Sequence, residues 1–278
     1  MIKLSAIQLN SKANVEHNLG VIEHYLALLT NSVNKEDAVE HVQAEYIVVL
    51  PECCLFFGAN DKAQLMLAKQ ANLKNELHQA LSDLAKKYSV TLIAGTIPIL
   101  TEDGQKFTNS SCAFDTQGVS LGRYDKIHLF DVNVEDNEKN YYESRFTQAG
   151  KTPCLINLPN ANIGLTVCFD LRFPELFQAL TIKGADIITV PSAFTRVTGK
   201  AHWQTLLQAR AIENQVYIVA SGQEGIHENG RETWGHSMII SPWGEVLACQ
   251  ESGEGVISAD FNPEEIKRIR TSMPLKRL

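Results

Sequence analysis

Ile163-Gly164-Leu165-Thr166-Val167-Cys168-Phe169-Asp170-Leu171-Arg172-Phe173-Pro174-Glu175 is the stretch on which the fold and chemistry of this chain turn. Its first five residues form a short apolar run of the kind a buried strand uses. Pro174 is placed to open a helix, since its missing N–H and fixed φ suit a first turn, and Gly184 is placed to end it. Cys168 stands at the handover from strand to turn and helix. A side chain there sits at a sheet edge, and the N–H groups that follow can be aimed at an oxyanion, as in a nucleophile elbow. Cysteine is also among the most buried residue types, so packing alone accounts for most single cysteines.

The alternation of short apolar runs with amphipathic stretches continues on both sides. Upstream, residues 3–9 read as a strand, a helix follows from Asn14 to about Leu29, and residues 45–50 read as a buried strand stopped by Pro51. Leu and Ala at helical spacing between Asn60 and Lys87 predict one or more core-facing helices. Residues 90–100 predict one strand with Gly95 as a bulge or close-approach point, and residues 107–115 and 119–124 predict a hairpin around Thr116-Gln117-Gly118. Residues 125–151 are polar and without periodicity; a loop of that length inside a compact domain is commonly functional. Downstream the pattern predicts a strand at 187–190 stopped by Pro191, a helix at 201–214 and a strand at 216–220. Sheet is predicted at 238–240, 246–248 and 256–259, with a turn at Pro242-Trp243-Gly244, before a last helix capped by Asn262. Strands and helices interleaved in this way predict a layered α/β architecture, and the hairpins predict a mixed sheet.

Charge and composition narrow the function. The 278 residues carry a net charge of −7, with a pI near 5.6, so no basic excess is present to neutralise nucleic-acid phosphates. Lys276-Arg277 is the only Lys/Arg-rich stretch and reads as a solvated tail. No apolar run reaches bilayer-spanning length, and the N-terminus reads as a strand and not as a signal peptide, so a cytoplasmic protein without membrane partners is expected. Six cysteines without a Cys-x-x-Cys pair predict free thiols and no structural zinc. The eight histidines are scattered and show no His-Glu-x-x-His spacing, which argues against a metallohydrolase.

Two other positions gain meaning beside Cys168. Glu52 follows Leu50-Pro51 at the end of a buried strand, where burial would raise its pKa and make it a usable base; alone, it reads more readily as a cap or surface carboxylate. Lys126, in Arg123-Tyr124-Asp125-Lys126-Ile127-His128-Leu129, follows a strand and opens the long polar segment, although most lysines are simply solvated. His128 has no second histidine at ligand spacing, so a structural role is expected for it. Together, Glu52, Lys126 and Cys168, in this order and these surroundings, resemble the nitrilase (carbon–nitrogen hydrolase) superfamily along nearly the whole chain. Gln8-Leu9-Asn10, Pro191-Ser192-Ala193-Phe194, Ala201-His202-Trp203, Ala209-Arg210-Ala211-Ile212-Glu213-Asn214 and Gly235-His236-Ser237 carry the same resemblance. Within the superfamily, the surroundings of Lys126 and Cys168 and the stretch from Val197 to Trp203 are similar to the branch of deaminated glutathione amidases and omega-amidases. Ser241-Pro242-Trp243-Gly244 and Gly222-Gln223-Glu224-Gly225 lean toward the former.

The resemblance implies a four-layer αββα sandwich, a single domain over residues 1–278, a homodimer or larger homo-oligomer, no cofactor and no metal. It implies a Glu52–Lys126–Cys168 triad, with Glu143 matching a second glutamate of the family. The expected reaction cleaves a small carboxylate-bearing amide through a cysteine thioester with release of ammonia. Lys126 and the Phe169 N–H would hold the oxyanion, and Lys126 would lower the thiol pKa. Arg172 is expected either to bind the substrate's far carboxylate or to form an ion pair with Glu175 or Asp170, and the 194–198 loop, with Phe194 and Thr198, to line the pocket. Cys53 and Cys54 are expected in packing or at most in the pocket wall. An omega-amidase, an N-carbamoyl hydrolase, an aliphatic amidase or a nitrilase would keep the same triad; a non-catalytic binding protein on the same fold is the reading from another class.

Overall fold

A computed structural model of the chain describes residues 1–31, 44–70, 73–134 and 140–275; Lys276-Arg277 and the middle of the 125–151 segment lie outside them. The first sheet is built on β1 (Ile2–Gln8), which runs antiparallel to β17 (Gly255–Phe261) and parallel to β2 (Glu45–Val49). Next come β3 (Thr91–Ile93), parallel to β2, and β5 (Phe107–Phe114), antiparallel to β3. Both β4 (Ile97–Leu100) and β6 (Ser120–Asp125) pair antiparallel with β5. The second sheet has the order β16 (Val246–Gln250), β15 (Ser237–Ile240), β12 (Tyr217–Gly222), β11 (Ile187–Ser192), β10 (Asn162–Leu165) and β9 (Cys154–Asn157), parallel only across β10, β11 and β12. Two small hairpins stand apart, β7 (Asp131–Asn133) with β8 (Asn140–Tyr142), and β13 (Glu224–Ile226) with β14 (Glu232–Trp234).

Strand periodicity builds the layers. Alternate residues of a strand face opposite sides of its sheet. Along β2, Tyr46, Val48 and Leu50 pack with Ile22 and Leu26 of α1 (Val15–Asn31) and Leu77 and Leu81 of α3 (Leu73–Tyr88). Ile47 and Val49 point the other way, into a core shared with Ile163, Leu165, Ile218 and Ala220 of the second sheet. The outer side of that sheet is covered by Leu176, Phe177 and Leu180 of α4 (Pro174–Ile182) and Trp203 and Leu207 of α5 (Arg196–Asn214). Helices, sheet, sheet, helices is the four-layer αββα sandwich expected from the sequence. The helices α2 (Asp61–Lys69), capped by the Asn60 side chain, and α6 (Pro263–Ser272), capped by Asn262, complete the element set.

Four local expectations change. Residues 90–100 form two strands, because the chain turns at Gly95 (φ +52), where a Cβ would lie 2.0 Å from the Pro51 carbonyl oxygen. The strand expected to stop at Pro191 runs on to Ser192. Pairing with β10 ends at Leu165 opposite Thr189, so Pro191 lies past that neighbour and needs no N–H on its side. The helix expected at 201–214 begins at Arg196, with the Thr195 hydroxyl accepting from the Thr198 N–H. Gly199 masks this first turn in the sequence: glycine is a poor helix former, yet a Cβ there would lie 2.3 Å from Trp234 Cβ. The 194–198 segment is thus the capped start of α5 and not a free loop. The long polar stretch contains the β7–β8 hairpin and a short 3-10 turn at Glu143–Arg145.

Candidate active site

Three strand ends converge. Glu52 follows β2, Lys126 is the residue after β6, and Cys168 lies three residues beyond β10, so the first sheet supplies the carboxylate and ammonium and the second supplies the thiol. Lys126 is buried, with its Nζ 2.8 Å from Glu52 Oε1 and 2.9 Å from Glu143 Oε2. Asn109, on β5, donates from Nδ2 to Glu52 Oε1 at 2.9 Å and to Glu143 Oε1 at 3.3 Å. The Ala193 N–H donates to Glu52 Oε2 at 3.0 Å, and the charge of the same carboxylate acts on the Cys168 thiol. Glu143 is held by the Phe130 N–H, 2.7 Å from Oε2. Gln223 Nε2 fixes the Glu52 backbone through its carbonyl at 3.0 Å.

Cys168 has φ +48 and opens a 3-10 turn, Cys168–Arg172; Cys53, next to Glu52, has φ +54. A non-glycine residue in this left-handed region costs about 1–3 kcal/mol and persists where the surroundings impose it. In the 3-10 turn the Asp170 N–H bonds to the Val167 carbonyl, whereas the Cys168 and Phe169 N–H groups precede the first turn bond and have no acceptor within it.

The charges act on one another. Burial alone would raise the Glu52 carboxyl, but the Lys126 ammonium, with bonds from Lys126 and Cys168 and the charge of Arg231, brings it below its ordinary value. Glu143 is raised: burial and the Glu52 charge outweigh Lys126. Burial disfavours the Lys126 ammonium, yet Glu143, Glu52 and Cys168 hold it well above its ordinary value, so it stays charged. The Cys168 thiol is raised by burial first and by Glu52 second; Lys126 and the Ala193 N–H oppose this without reversing it. Lys126 does favour the thiolate, as expected from the sequence, but the net outcome is a resting thiol whose proton must be removed during the reaction.

One cavity gathers the expected residues: Glu52, Lys126, Glu143, Cys168, Phe169, Phe194 and Thr198 all line it, and Cys53 lines it too. Cys54 is buried, its thiol near the Ala94 carbonyl, and serves packing. Arg172 does not line the cavity. Its guanidinium lies behind the wall, 5.3 Å from the Phe194 ring centre and 5.9 Å from that of Phe169, with Nη2 3.3 Å from His202 Nδ1. Neither expected ion pair of Arg172 is formed; Asp170 is bonded elsewhere, to Tyr124 and His128. The sequence reading missed Asn109, Ala193 and Arg231. Arg231 lines the cavity with its guanidinium 4.9 Å from the Tyr141 ring centre and 5.2 Å from that of Phe57. Asn109 carried a signal, a polar amide inside an otherwise buried strand. Arg231 lies in a polar hairpin and carried none. Among the described residues, no group of three or more His, Cys, Asp or Glu side chains is arranged to hold a metal.

Comparison with known proteins places the chain in a family. The carbon–nitrogen hydrolase family model matches residues 3–271. The chain is 39% identical over 273 residues to the deaminated glutathione amidase of Yersinia enterocolitica, covering 98% of this chain and 91% of the relative. It is 37% identical over 231 residues to the omega-amidase NIT2 of Xenopus tropicalis, covering 83% and 82%. Nit3 of Saccharomyces cerevisiae, a solved member of the nitrilase superfamily, superposes with a TM-score of 0.85 at 29% identity, covering 99% of this chain and 95% of that one. The chain belongs to the carbon–nitrogen hydrolase family. It is an enzyme of the amidase kind, hydrolysing carbon–nitrogen bonds other than peptide bonds.

Proposed function

We propose that this protein, one catalytic domain, is a deaminated glutathione amidase that works through a Cys168 thioester. The observation that carries the chemistry is the Cys168 thiol lining one cavity with Glu52 while Lys126 bridges Glu52 and Glu143. Glu52 takes the thiol proton as the sulfur attacks the amide carbonyl. The carbonyl π pair moves to oxygen, where the Lys126 ammonium and the Phe169 N–H hold it. Glu52 returns the proton to the leaving nitrogen and the C–N bond breaks. Water, deprotonated by Glu52, then attacks the thioester; the C–S bond breaks and the thiol regains its proton. Glu143 keeps Lys126 charged and in place. Phe194 and Thr198 shape the acyl side, and Arg172, outside the cavity, has no place in substrate binding.

The 39% identity to a deaminated glutathione amidase over 98% of the chain supports the substrate. In deaminated glutathione the amide nitrogen belongs to the cysteinyl residue, so an amine, cysteinylglycine, leaves; ammonia leaves only from a primary amide such as α-ketoglutaramate. The 37% identity to an omega-amidase favours the latter as second reading. The test is a panel of deaminated glutathione, α-ketoglutaramate, a carbamoyl amino acid and a nitrile, read for released amine and for ammonia. Amine release from the first, with weak turnover of the rest, is expected; dominant ammonia release from α-ketoglutaramate would select the omega-amidase. Cys168→Ala should abolish turnover with the fold intact, and retained activity would refute the thioester route. Free thiols at all six cysteines support a place in the cytoplasm. Exposed Ile212 and Trp243, brought together where Gly244 meets Ile212, support a homodimer, which sedimentation would test.

A further inference from the structure

The amidase reading requires an ammonium from one sheet and a thiol from the other to keep a fixed spacing. Main-chain bonds fix Lys126 to its own side: its N–H donates to the Asn109 carbonyl at 2.9 Å, and its carbonyl accepts from the Gly150 N–H at 2.8 Å. None of these reaches the cysteine turn. A buried carboxylate does. Asp170, two residues after Cys168, is 0% exposed. Its Oδ2 accepts from the Val167 N–H at 2.8 Å and from the Tyr124 hydroxyl at 2.7 Å. Its Oδ1 accepts from the His128 N–H at 3.1 Å and lies 2.7 Å from His128 Nδ1.

Tyr124 and His128 stand two residues before and two after Lys126, so Asp170 grips the lysine segment on both sides. The Tyr124 oxygen also accepts from the Ile127 N–H at 3.2 Å. The His128 ring lies flat on Phe173, at the far end of the cysteine turn, with centroids 3.7 Å apart and planes 6° apart. The two segments are therefore joined by hydrogen bonds at one end and by a ring stack at the other. No step of the proposed reaction uses these groups.

We propose that Asp170, Tyr124 and His128 form a positioning clasp that sets the distance between the Lys126 ammonium and the Cys168 thiol; this rests on the Glu52–Lys126–Cys168 reading. Burial and the Asp170 carboxylate both push the Tyr124 phenol upward, so it remains a proton donor to Asp170. A positioning error of about 1 Å lowers rates by about 100-fold. A purely structural network would lower stability and leave the folded enzyme as reactive as before.

His128 allows the two contributions to be separated, because its side chain is 26% exposed, whereas Asp170 is fully buried. His128→Phe keeps a ring on Phe173 and the main-chain N–H on Asp170 and removes only the side-chain donor. His128→Asn keeps an N–H donor near the Nδ1 position and removes the ring. The readouts are kcat and KM on the best amide, the rate at which iodoacetamide alkylates Cys168, and Tm. Alkylation needs no turnover, so failure of the amidase reading shows as an inactive wild type or an active Cys168→Ala, whereas failure of the clasp shows in the His128 variants. His128→Phe is expected to lose about 10- to 100-fold in kcat, with KM within about 2-fold and an altered alkylation rate, and His128→Asn to stay within about 3-fold of wild type. Tyr124→Phe should lower kcat too, and less than additively with His128→Phe, since both act through Asp170. Equal losses in the two His128 variants, an effect confined to Tm or KM, unchanged alkylation, or strict additivity with Tyr124→Phe would overturn the proposal.

Discussion

Glu52 and Glu143 reach the same ammonium from different parts of the molecule. Glu52 leaves the end of a central strand, its side chain is 6% exposed, and it accepts from Lys126, Asn109 and the Ala193 N–H. Glu143 comes from a short turn beyond the β7–β8 hairpin, keeps 19% exposure, and accepts from Lys126, the Phe130 N–H and, at longer range, Asn109. Each sits about 2.9 Å from Nζ, yet one carboxyl is lowered and the other raised. Distance to the cation does not set the difference. The surroundings do: Cys168 and the charge of Arg231 reinforce Lys126 at Glu52, while burial and the Glu52 charge raise Glu143, the carboxylate that loses when two negative charges share one site. The geometry fits Glu52 as the ionised base and Glu143 as the partner that holds the ammonium.

The largest effect that would test this division is on Glu52. Glu52→Gln should lower kcat by about 1,000- to 10,000-fold, at the upper end of what a general base contributes, because in the proposed reaction the same carboxylate serves both half-reactions. Glu143→Gln keeps an acceptor for the Phe130 N–H and removes only charge from beside Lys126, so a loss of about 10- to 100-fold is expected. Steady-state turnover of both variants on one amide checks the pair. Equal losses would break the distinction between base and holder.

Stability against pH sharpens it, because the signs are opposite. The Glu52 carboxyl is lowered in the fold, so its contribution is present above the ordinary carboxyl value of 4.5 and is lost as pH falls below it. The Glu143 carboxyl is raised, so its contribution is present below 4.5 and is lost as pH rises above it. The Tm advantage of wild type over Glu52→Gln should therefore shrink on acidification, while that over Glu143→Gln should shrink on moving from acid toward neutral pH. Calorimetric scans at pH values on both sides of 4.5 read both slopes, and parallel slopes would contradict the assignment.

The same contrast marks what the sequence could disclose. Glu52 and Cys168 follow apolar runs that announce buried strands, so their place at strand ends was legible from composition and punctuation by Pro51 and Pro174. Glu143 lies in a polar stretch without periodicity, and only resemblance to a family singled it out. The layered α/β class followed from the interleaving of strands and helices, and the four-layer sandwich from the family resemblance. The start of α5 did not, because Gly199 is there to let Trp234 approach and not to serve the helix. Gly95 was legible as a special position, but the split into two strands depends on the Pro51 carbonyl, 44 residues away in the chain. Asn109 and Arg231 act through neighbours that only the folded chain brings to them, and Arg172 shows the converse: a residue well placed in sequence that the turn directs behind the cavity wall.

The smallest expected effect falls on the residue that both carboxylates share. Asn109 Nδ2 donates to Glu52 and Glu143, while its main-chain carbonyl separately holds the Lys126 N–H. Asn109→Ala therefore leaves the lysine backbone anchored and removes one neutral donor from two anions. Losing a donor to an ionised carboxylate raises its pKa, and the shorter bond is to Glu52, so the acid limb of the kcat/KM profile should move to higher pH. With Lys126 and the Ala193 N–H still in place, turnover at neutral pH should fall by less than about 10-fold, in keeping with one hydrogen bond to a charged group. If the acid limb stays fixed while neutral turnover falls, Asn109 acts on Glu143 and the ammonium and not on the base. The weaker 3.3 Å contact would then be the one that matters, and the ranking of the two glutamates by their surroundings would have to give way to one based on their reach toward the substrate.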